Sequence, residues 1–510
     1  MKAIITVDVG TTSIRACLHG ADAQLVHMEQ RENVPILLDE GRVEQDPLAC
    51  QAGVLAVLKV CAELAKAKGF EPLCLAIAAQ RSSVIPVDRQ GRCLHPAIMW
   101  QDRRSAELAR EMDAHNPLVY GKTGLRISPV FSALKMTWLR RNRPEVWRKT
   151  HKLLGIQDWI IHGLTGAFVT DQTFGSRTNL LNLQTRQWDS DLLSLFEVER
   201  DMLCDLVAPG SVVGVLSAQA AHATGLKAGL SVVSAGGDQQ CAALGLGLFS
   251  GERAVSNTGT GSYLIGHADK PVFDPAMGLS CNVSALPGAY IVEAAVLTSG
   301  TIYRWFNESV CRSADAAGAP FETLNAEAAL APPGAKDLLL LPHFKGCGSP
   351  YWDPQAKGVF FNVSLSTSRG DMARAILEGI GIEMKASLEL VERLCGSVRS
   401  VSVSGGLTKS DLFNQIQSDI FERPVLRFAN NEATSSGAWM AGAVACGVAA
   451  SYPAAFARLS ERCASITYQS NAAHHALYAR KRAQSLALYQ ALAAPGFRAV
   501  FDQQTRGSSP

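Results

Sequence analysis

The stretch Ala3-Ile4-Ile5-Thr6-Val7-Asp8-Val9-Gly10-Thr11-Thr12-Ser13-Ile14-Arg15-Ala16-Cys17-Leu18 decides how the rest of the chain is read. Apolar and β-branched residues from Ala3 to Val7 predict a buried strand, Gly10-Thr11-Thr12 breaks it, and partial alternation from Ser13 to Leu18 predicts a return strand. The result is a hairpin with an acid, Asp8, at the end of its first strand. A second copy follows far along the chain. Glu252 to Ser256 leads into Asn257-Thr258-Gly259-Thr260-Gly261, and Ser262 to Gly266 runs out again. Two halves opened in the same way point to an internal duplication.

Between and beyond the hairpins, helical and strand-like patterns alternate. Pro47 to Lys66 predicts an amphipathic helix and Pro72 to Ala79 a strand; Asp371 to Leu394, Val398 to Val403 and Ser410 to Glu422 repeat the mixture as helix, strand and helix. This is α/β architecture, not a bundle or a sandwich. With 510 residues the chain has room for about two to four domains. Glycines crowd Ser234 to Gly251, so the expected boundary lies near residue 247, with domains 1–247 and 248–510. The polar tail after Arg498 is expected to fray.

Composition narrows the function classes. Lys plus Arg is 48 and Asp plus Glu 46, a net charge of +2 that supplies no general attraction to a phosphate backbone, so nucleic acid is not an expected partner. The basic run Arg140-Arg141-Asn142-Arg143 reads as the solvated end of a helix. The thirteen cysteines contain no Cys-x-x-Cys, and their closest pair is Cys50 and Cys61, which fits buried thiols in a cytoplasmic protein better than a disulfide framework. Ala433 to Ala457 carries no charge over 25 residues. Its Gly, Ala and Ser content predicts a close-packed buried helix and not a membrane span.

Several motifs carry chemistry. Asp8, before a glycine turn bearing two hydroxyls, can hold Mg²⁺, while turn amides and threonine hydroxyls donate to phosphate oxygens; an ordinary turn capped by Asp8 is the plain alternative. Gly236-Gly237-Asp238-Gln239-Gln240 follows the strand Leu230 to Ala235, which places Asp238 to act as a general base on a hydroxyl or, more plainly, to cap a helix. Val401 to Ser404 ends in Gly405-Gly406, where a flat ring can approach the backbone. A Walker-type phosphate loop is excluded, because Gly121-Lys122-Thr123 lacks the upstream glycine.

In this order the motifs resemble the FGGY carbohydrate kinases, relatives of glycerol kinase and xylulokinase in the actin-like ATPase superfamily. The resemblance also rests on Lys135-Met136-Thr137-Trp138-Leu139, Ser349-Pro350-Tyr351-Trp352-Asp353-Pro354, Lys357-Gly358-Val359-Phe360-Phe361 and Ala375-Ile376-Leu377-Glu378-Gly379. It implies two RNase H-like domains flanking a cleft, the first mainly for sugar or polyol and the second mainly for ATP with Mg²⁺. By the same resemblance Asp238 is the catalytic base and Asp8 the Mg²⁺ acid. Thr11, Thr12, Thr260 and Gly261 meet the phosphates, Gly405 and Gly406 border the adenine, and Ser410 belongs with the nucleotide-binding set. Phosphoryl transfer needs mainly positioning and charge neutralisation, which this division supplies.

The acceptor is read from departures within that pattern. Gln80, Arg81, Trp100, Asp238, Gln239 and Tyr263 form the expected substrate set, and Arg81, Trp100, Gln239 and Tyr263 are similar to glycerol kinases. Ser82 and Val130 stand where glycerol kinases carry Glu and Tyr. Losing two hydrogen-bonding groups leaves space and weakens a small triol, so a xylulose-type ketose leads the expectation and glycerol or another polyol follows. An inactive ATP-binding sensor on the same fold is the alternative of another class, and a homodimer is the base-rate expectation for assembly.

Overall fold

The first hairpin forms as its pattern predicts. In a computed structural model that describes residues 1–39, 41–311, 321–429 and 432–505, β1 (Lys2–Val9) and β2 (Ser13–Gly20) pair antiparallel, with Asp8 opposite Arg15. β3 (Leu25–Glu32) continues the meander. On the other side of β1 lie β4 (Glu71–Ala79), β5 (Val212–Val215) and β6 (Ser231–Gly237), giving the order β5-β6-β4-β1-β2-β3. The central strands β1, β4 and β6 are parallel and β5 is antiparallel to β6.

Period-two alternation splits this sheet into two apolar faces. Ala3, Ile5, Val7, Leu75 and Ile77 pack with the helices Pro47–Ala67 and Ile156–Thr165. Ile4, Cys74, Ala76, Ala78, Val233 and Ala235 face the other way and meet Ala438, Trp439, Met440 and Ala441 of the helix Ala433–Ala445. The charge-free segment is therefore a buried helix here, followed by a second helix, Tyr452–Arg462. Among the described residues one helix, Pro47–Ala67, is long and apolar enough to cross a membrane by length and composition alone; it lies along β2 and β3.

The second hairpin repeats the plan. β7 (Arg253–Thr258) and β8 (Ser262–Ala268) pair antiparallel. β9 (Ser400–Ser404) runs parallel to β7 and β10 (Val425–Phe428) parallel to β9, while β11 (Ser465–Tyr468) closes antiparallel on β10. The order β8-β7-β9-β10-β11 matches β2-β1-β4-β6-β5 strand for strand in direction. The duplication seen in two glycine turns thus extends to five strands of each sheet.

Two compact units result, and the chain passes between them repeatedly. One comprises 1–250, 267–292 and 432–464; the other comprises 251–266, 293–431 and 465–510. Where one passage near residue 247 was expected, the first comes after Ser250, and segments 267–292 and 432–464 return to the first unit. For 432–464 the reason is the apolar face of β1, β4 and β6, which the helix Ala433–Ala445 covers. The tail also differs from expectation: a helix, Pro495–Thr505, continues past Arg498, and Gly507 to Pro510 lie outside the described residues. None of the thirteen cysteines forms a disulfide.

Candidate active site

Register brings the candidate acids of the first unit to one edge. Asp8 and Val9 of β1 pair with Ala78 and Ala79 of β4, and Gly236 and Gly237 of β6 pair with the same two residues. Asp8, Gln80 and Asp238 therefore sit together at the carboxyl end of three parallel strands, the place where open α/β sheets put their ligand chemistry. Asp238 opens the helix Asp238–Gly245, and its Oδ1 accepts from the Gln239 backbone N–H at 2.8 Å.

Asp8 carries the unusual electrostatics. Its Oδ1 is buried with no hydrogen-bond partner. Burial, followed by the nearby charge of Asp238, pushes its carboxyl up to about 7, and Glu432 adds to this while Arg15 opposes it. Arg15 was not singled out in the sequence. It faces Asp8 across the hairpin, donates through Nε to Gln30 Oε1 at 2.8 Å, and lies 3.5 Å from Glu432. A buried carboxylate oxygen without a donor, near a second carboxylate, suits a hard divalent cation, which would neutralise the repulsion that raises the Asp8 carboxyl.

The expected substrate residues of this unit form two short chains of hydrogen bonds. Trp100 Nε1 donates to Thr11 Oγ1 at 3.1 Å, and Thr11 Oγ1 donates to Gln80 Oε1 at 2.8 Å. Gln80 Nε2 reaches Gln45 Oε1 at 3.2 Å, another residue the sequence did not reveal. Separately, an Arg81 guanidinium nitrogen donates to Gln239 Oε1 at 3.1 Å. A Cβ at Gly237 would sit 2.3 Å from Arg81 Cδ, so glycine there makes room for this arginine. Trp100 keeps 37% of its surface exposed, enough for one ring face to meet a ligand. Thr12 points outward, and its carbonyl accepts from the Asn33 N–H.

Ser82 and Val130 occupy shaped surroundings. Ser82 is buried at φ +68°, and with Ser83, Ser132, Asp158 and Thr170 it lines an internal cavity of about 30 Å³. That space holds about one water molecule. Val130 is held by the buried Lys135, whose Nζ donates to the carbonyls of Pro129 and Val130 at 2.6 Å each and of Phe131 at 3.3 Å. Lys135 came into view only as part of a motif; here it shapes the loop that presents position 130.

The remaining candidates belong to the second unit. Asn257 pairs with Tyr263 and Thr258 with Ser262, while the Gly259 N–H closes the turn on the Gly261 carbonyl at 2.9 Å. Thr260 is held through its carbonyl, which accepts from the Ser299 N–H and from Thr301 Oγ1. Gly405, at φ +99°, passes so close that a Cβ would lie 2.4 Å from the Thr258 carbonyl oxygen. Gly405 therefore seats β9 against the hairpin. Gly406 begins a short 3₁₀ turn, and Ser410 caps the helix Asp411–Phe421 by accepting from the Phe413 N–H at 3.4 Å. Thr260, Gly261, Gly405 and Gly406 thus share one edge of their sheet. Tyr263, half exposed on β8, is on this unit, whereas the other expected substrate residues are on the first.

Residues 3–245 match the N-terminal domain, and residues 254–446 the C-terminal domain, of the FGGY family of carbohydrate kinases. The chain belongs to the FGGY family. Among its relatives, a glycerol kinase of Alkalilimnicola ehrlichii is 32% identical over 480 residues, covering 91% of this chain and 94% of the relative. A glycerol kinase of Citrifermentans bemidjiense is 32% identical over 474 residues, covering 88% and 91%. A solved xylulose kinase from Rhodospirillum rubrum superposes with a TM-score of 0.90 at 25% identity, covering 97% of this chain and all of that one. As an FGGY kinase the protein is a carbohydrate phosphotransferase, and its duplicated sheets have the two-domain α/β architecture of that family.

Proposed function

We propose that this FGGY kinase transfers the γ-phosphoryl group of ATP to a hydroxyl of a small acyclic ketose or polyol, with Asp238 as the base. The observation that carries this is the shared strand edge: Asp238, Asp8 and Gln80 end three parallel strands at one level, with Arg81 bonded to Gln239 beside them. In the step itself the acceptor oxygen forms the new bond to phosphorus, the bond to the ADP oxygen breaks, and the acceptor proton passes to the Asp238 carboxylate. Arg81, Gln239 and Trp100 orient the acceptor. Asp8 would hold Mg²⁺, directly or through water; when bound, the ion neutralises phosphate charge. Thr260, Gly261, Gly405, Gly406 and Ser410 are the proposed nucleotide contacts, and Thr11 and Thr12 the first unit's phosphate contacts.

Two acceptor readings have support. Ser82 and Val130 in place of larger polar side chains favour an acceptor longer than glycerol, a xylulose-type ketose first. The names of the relatives at 32% identity favour glycerol. We take the longer acceptor as the conclusion, because a small triol would lose partners at both positions. Steady-state kinetics over xylulose, ribulose, erythritol, gluconate and glycerol test it. The highest kcat/KM is expected with a four- or five-carbon acceptor, and glycerol ranking first by tenfold or more would establish the second reading instead.

A further inference from the structure

Away from these residues, the second unit gathers three metal-ligating side chains of different chemistry from two segments. His343 and Cys347 stand in the loop after the strand Leu339–Leu341, and Glu383 is on the long helix Arg369–Cys395. His343 Nε2 lies 2.8 Å from Glu383 Oε1, and Cys347 Sγ lies 3.6 Å from the same oxygen. All three ligand atoms are within 4.8 Å of one another. His343 and Cys347 are almost wholly buried, while the Glu383 side chain keeps 14% of its surface exposed, which leaves one side open to water. Tyr489 packs edge-on against the His343 ring at 5.3 Å and fixes its plane.

We propose that His343, Cys347 and Glu383 bind one Zn²⁺-class divalent cation, with water as a fourth ligand. Imidazole nitrogen, thiolate sulfur and carboxylate oxygen are the donors zinc takes at about 2.0–2.3 Å, and a tetrahedron of such bonds sets its ligands about 3–4 Å apart. Cys347 Sγ and Glu383 Oε1, at 3.6 Å, already stand at that separation, and His343 Nε2 and Glu383 Oε1, at 2.8 Å, have to open slightly to admit the ion. Mg²⁺, which demands oxygen ligands, does not suit the set. Charge balances too: a thiolate and a carboxylate offset the two positive charges of the ion, so the buried site carries no net charge. On binding, the Cys347 S–H bond breaks, the S–Zn bond forms and the proton leaves to solvent, while His343 gives up the Nε2 proton it shares with Glu383, takes one at Nδ1 and coordinates through Nε2. Without metal, the Glu383 carboxylate accepts from both His343 Nε2 and Cys347 Sγ.

The site would clamp a loop that backs the nucleotide hairpin. Two residues past Cys347, the Ser349 N–H donates to the Ala295 carbonyl at 2.8 Å and Ser349 Oγ accepts from the Ala295 N–H at 3.1 Å; the carbonyls of Val296 and Leu297 then border Gly261.

The test uses the full-length protein after chelator dialysis, titrated with Co²⁺ and with Zn²⁺. A near-ultraviolet sulfur-to-cobalt charge-transfer band, which a cation at Asp8 cannot give, should grow and saturate at one equivalent of Co²⁺ bound to this site. Zn²⁺ should displace it. Cys347→Ser should abolish the band, and Glu383→Gln should keep it with affinity lowered about 10-fold or more, since a direct ligand is worth at least as much as an outer-shell partner. Absence of the band in the wild-type protein, or its persistence in Cys347→Ser, overturns the proposal. Should Cys347→Ser fail to fold, the wild-type band and the Glu383→Gln affinity decide, an unchanged affinity counting against the site.

Discussion

At the residue scale, the proposed chemistry turns on two acids at one strand edge. Replacing Asp238 with Asn keeps the side-chain oxygen that accepts from the Gln239 N–H but removes the proton acceptor. We expect kcat to fall about 10²- to 10⁴-fold, with ATP affinity by calorimetry within about twofold of wild type. Asp8 makes a different prediction. Its carboxyl rises from 3.8 to about 7 on folding, chiefly through burial and then through Asp238, so the folded state holds that proton more tightly than the unfolded chain does. Without Mg²⁺ the Asp8 contribution therefore favours folding below about pH 4 and is lost as the pH climbs to about 7. Denaturant titrations of wild type and Asp8→Asn across that window should show the wild type losing more stability as pH rises, with Mg²⁺ shrinking the difference; parallel curves would refute the assignment. Both acids were legible in the sequence, because each ends an apolar strand at a glycine turn. Arg15, Gln45 and Lys135 were not, since their roles depend on partners that only folding brings near.

Among the elements, the helix pair Asp238–Gly245 and Ala433–Ala445 sets how firmly the proposed base is held. Gly437 lies so close to the first helix that an added Cβ would come within 1.9 Å of the Cys241 carbonyl oxygen, and Thr434 Oγ1 reaches the Asp238 carbonyl at 3.3 Å. Gly437→Ala must push these helices apart. A loss of about 1–3 kcal/mol in unfolding free energy is expected, together with a lower kcat because Asp238 rides on the displaced helix. Full activity at unchanged stability would show that the contact tolerates a methyl group. Here the small-residue composition announced close packing, yet it could not name the neighbour. Any buried surface with the right spacing would have satisfied the same glycines and alanines.

For the whole molecule, the unit holding Asp8 and Asp238 is assembled from three separated segments. A fragment ending at Ser250 would leave Ile4, Cys74, Ala76, Val233 and Ala235 without the helix that covers them. We expect residues 1–250 expressed alone to show no cooperative unfolding in near-ultraviolet circular dichroism and to aggregate. Supplying 267–292 and 432–464 through linkers should restore a cooperative transition. A sharp, reversible transition in the short fragment would contradict this account of the core.

From sequence alone, the α/β class, the duplicated hairpins and the family could be determined, and the two acids could be proposed. All of them depend on contiguous residues, whose periodicity and turn chemistry are local properties of the chain. Tertiary structure decided the rest: which sheet the uncharged helix covers, why the chain returns twice to its first unit, how Trp100, Thr11 and Gln80 join in one chain of hydrogen bonds, and that Glu383 meets His343 and Cys347. Each of these joins residues distant in sequence, and their pairing is set by strand register and by competition for buried surface, which no short stretch encodes.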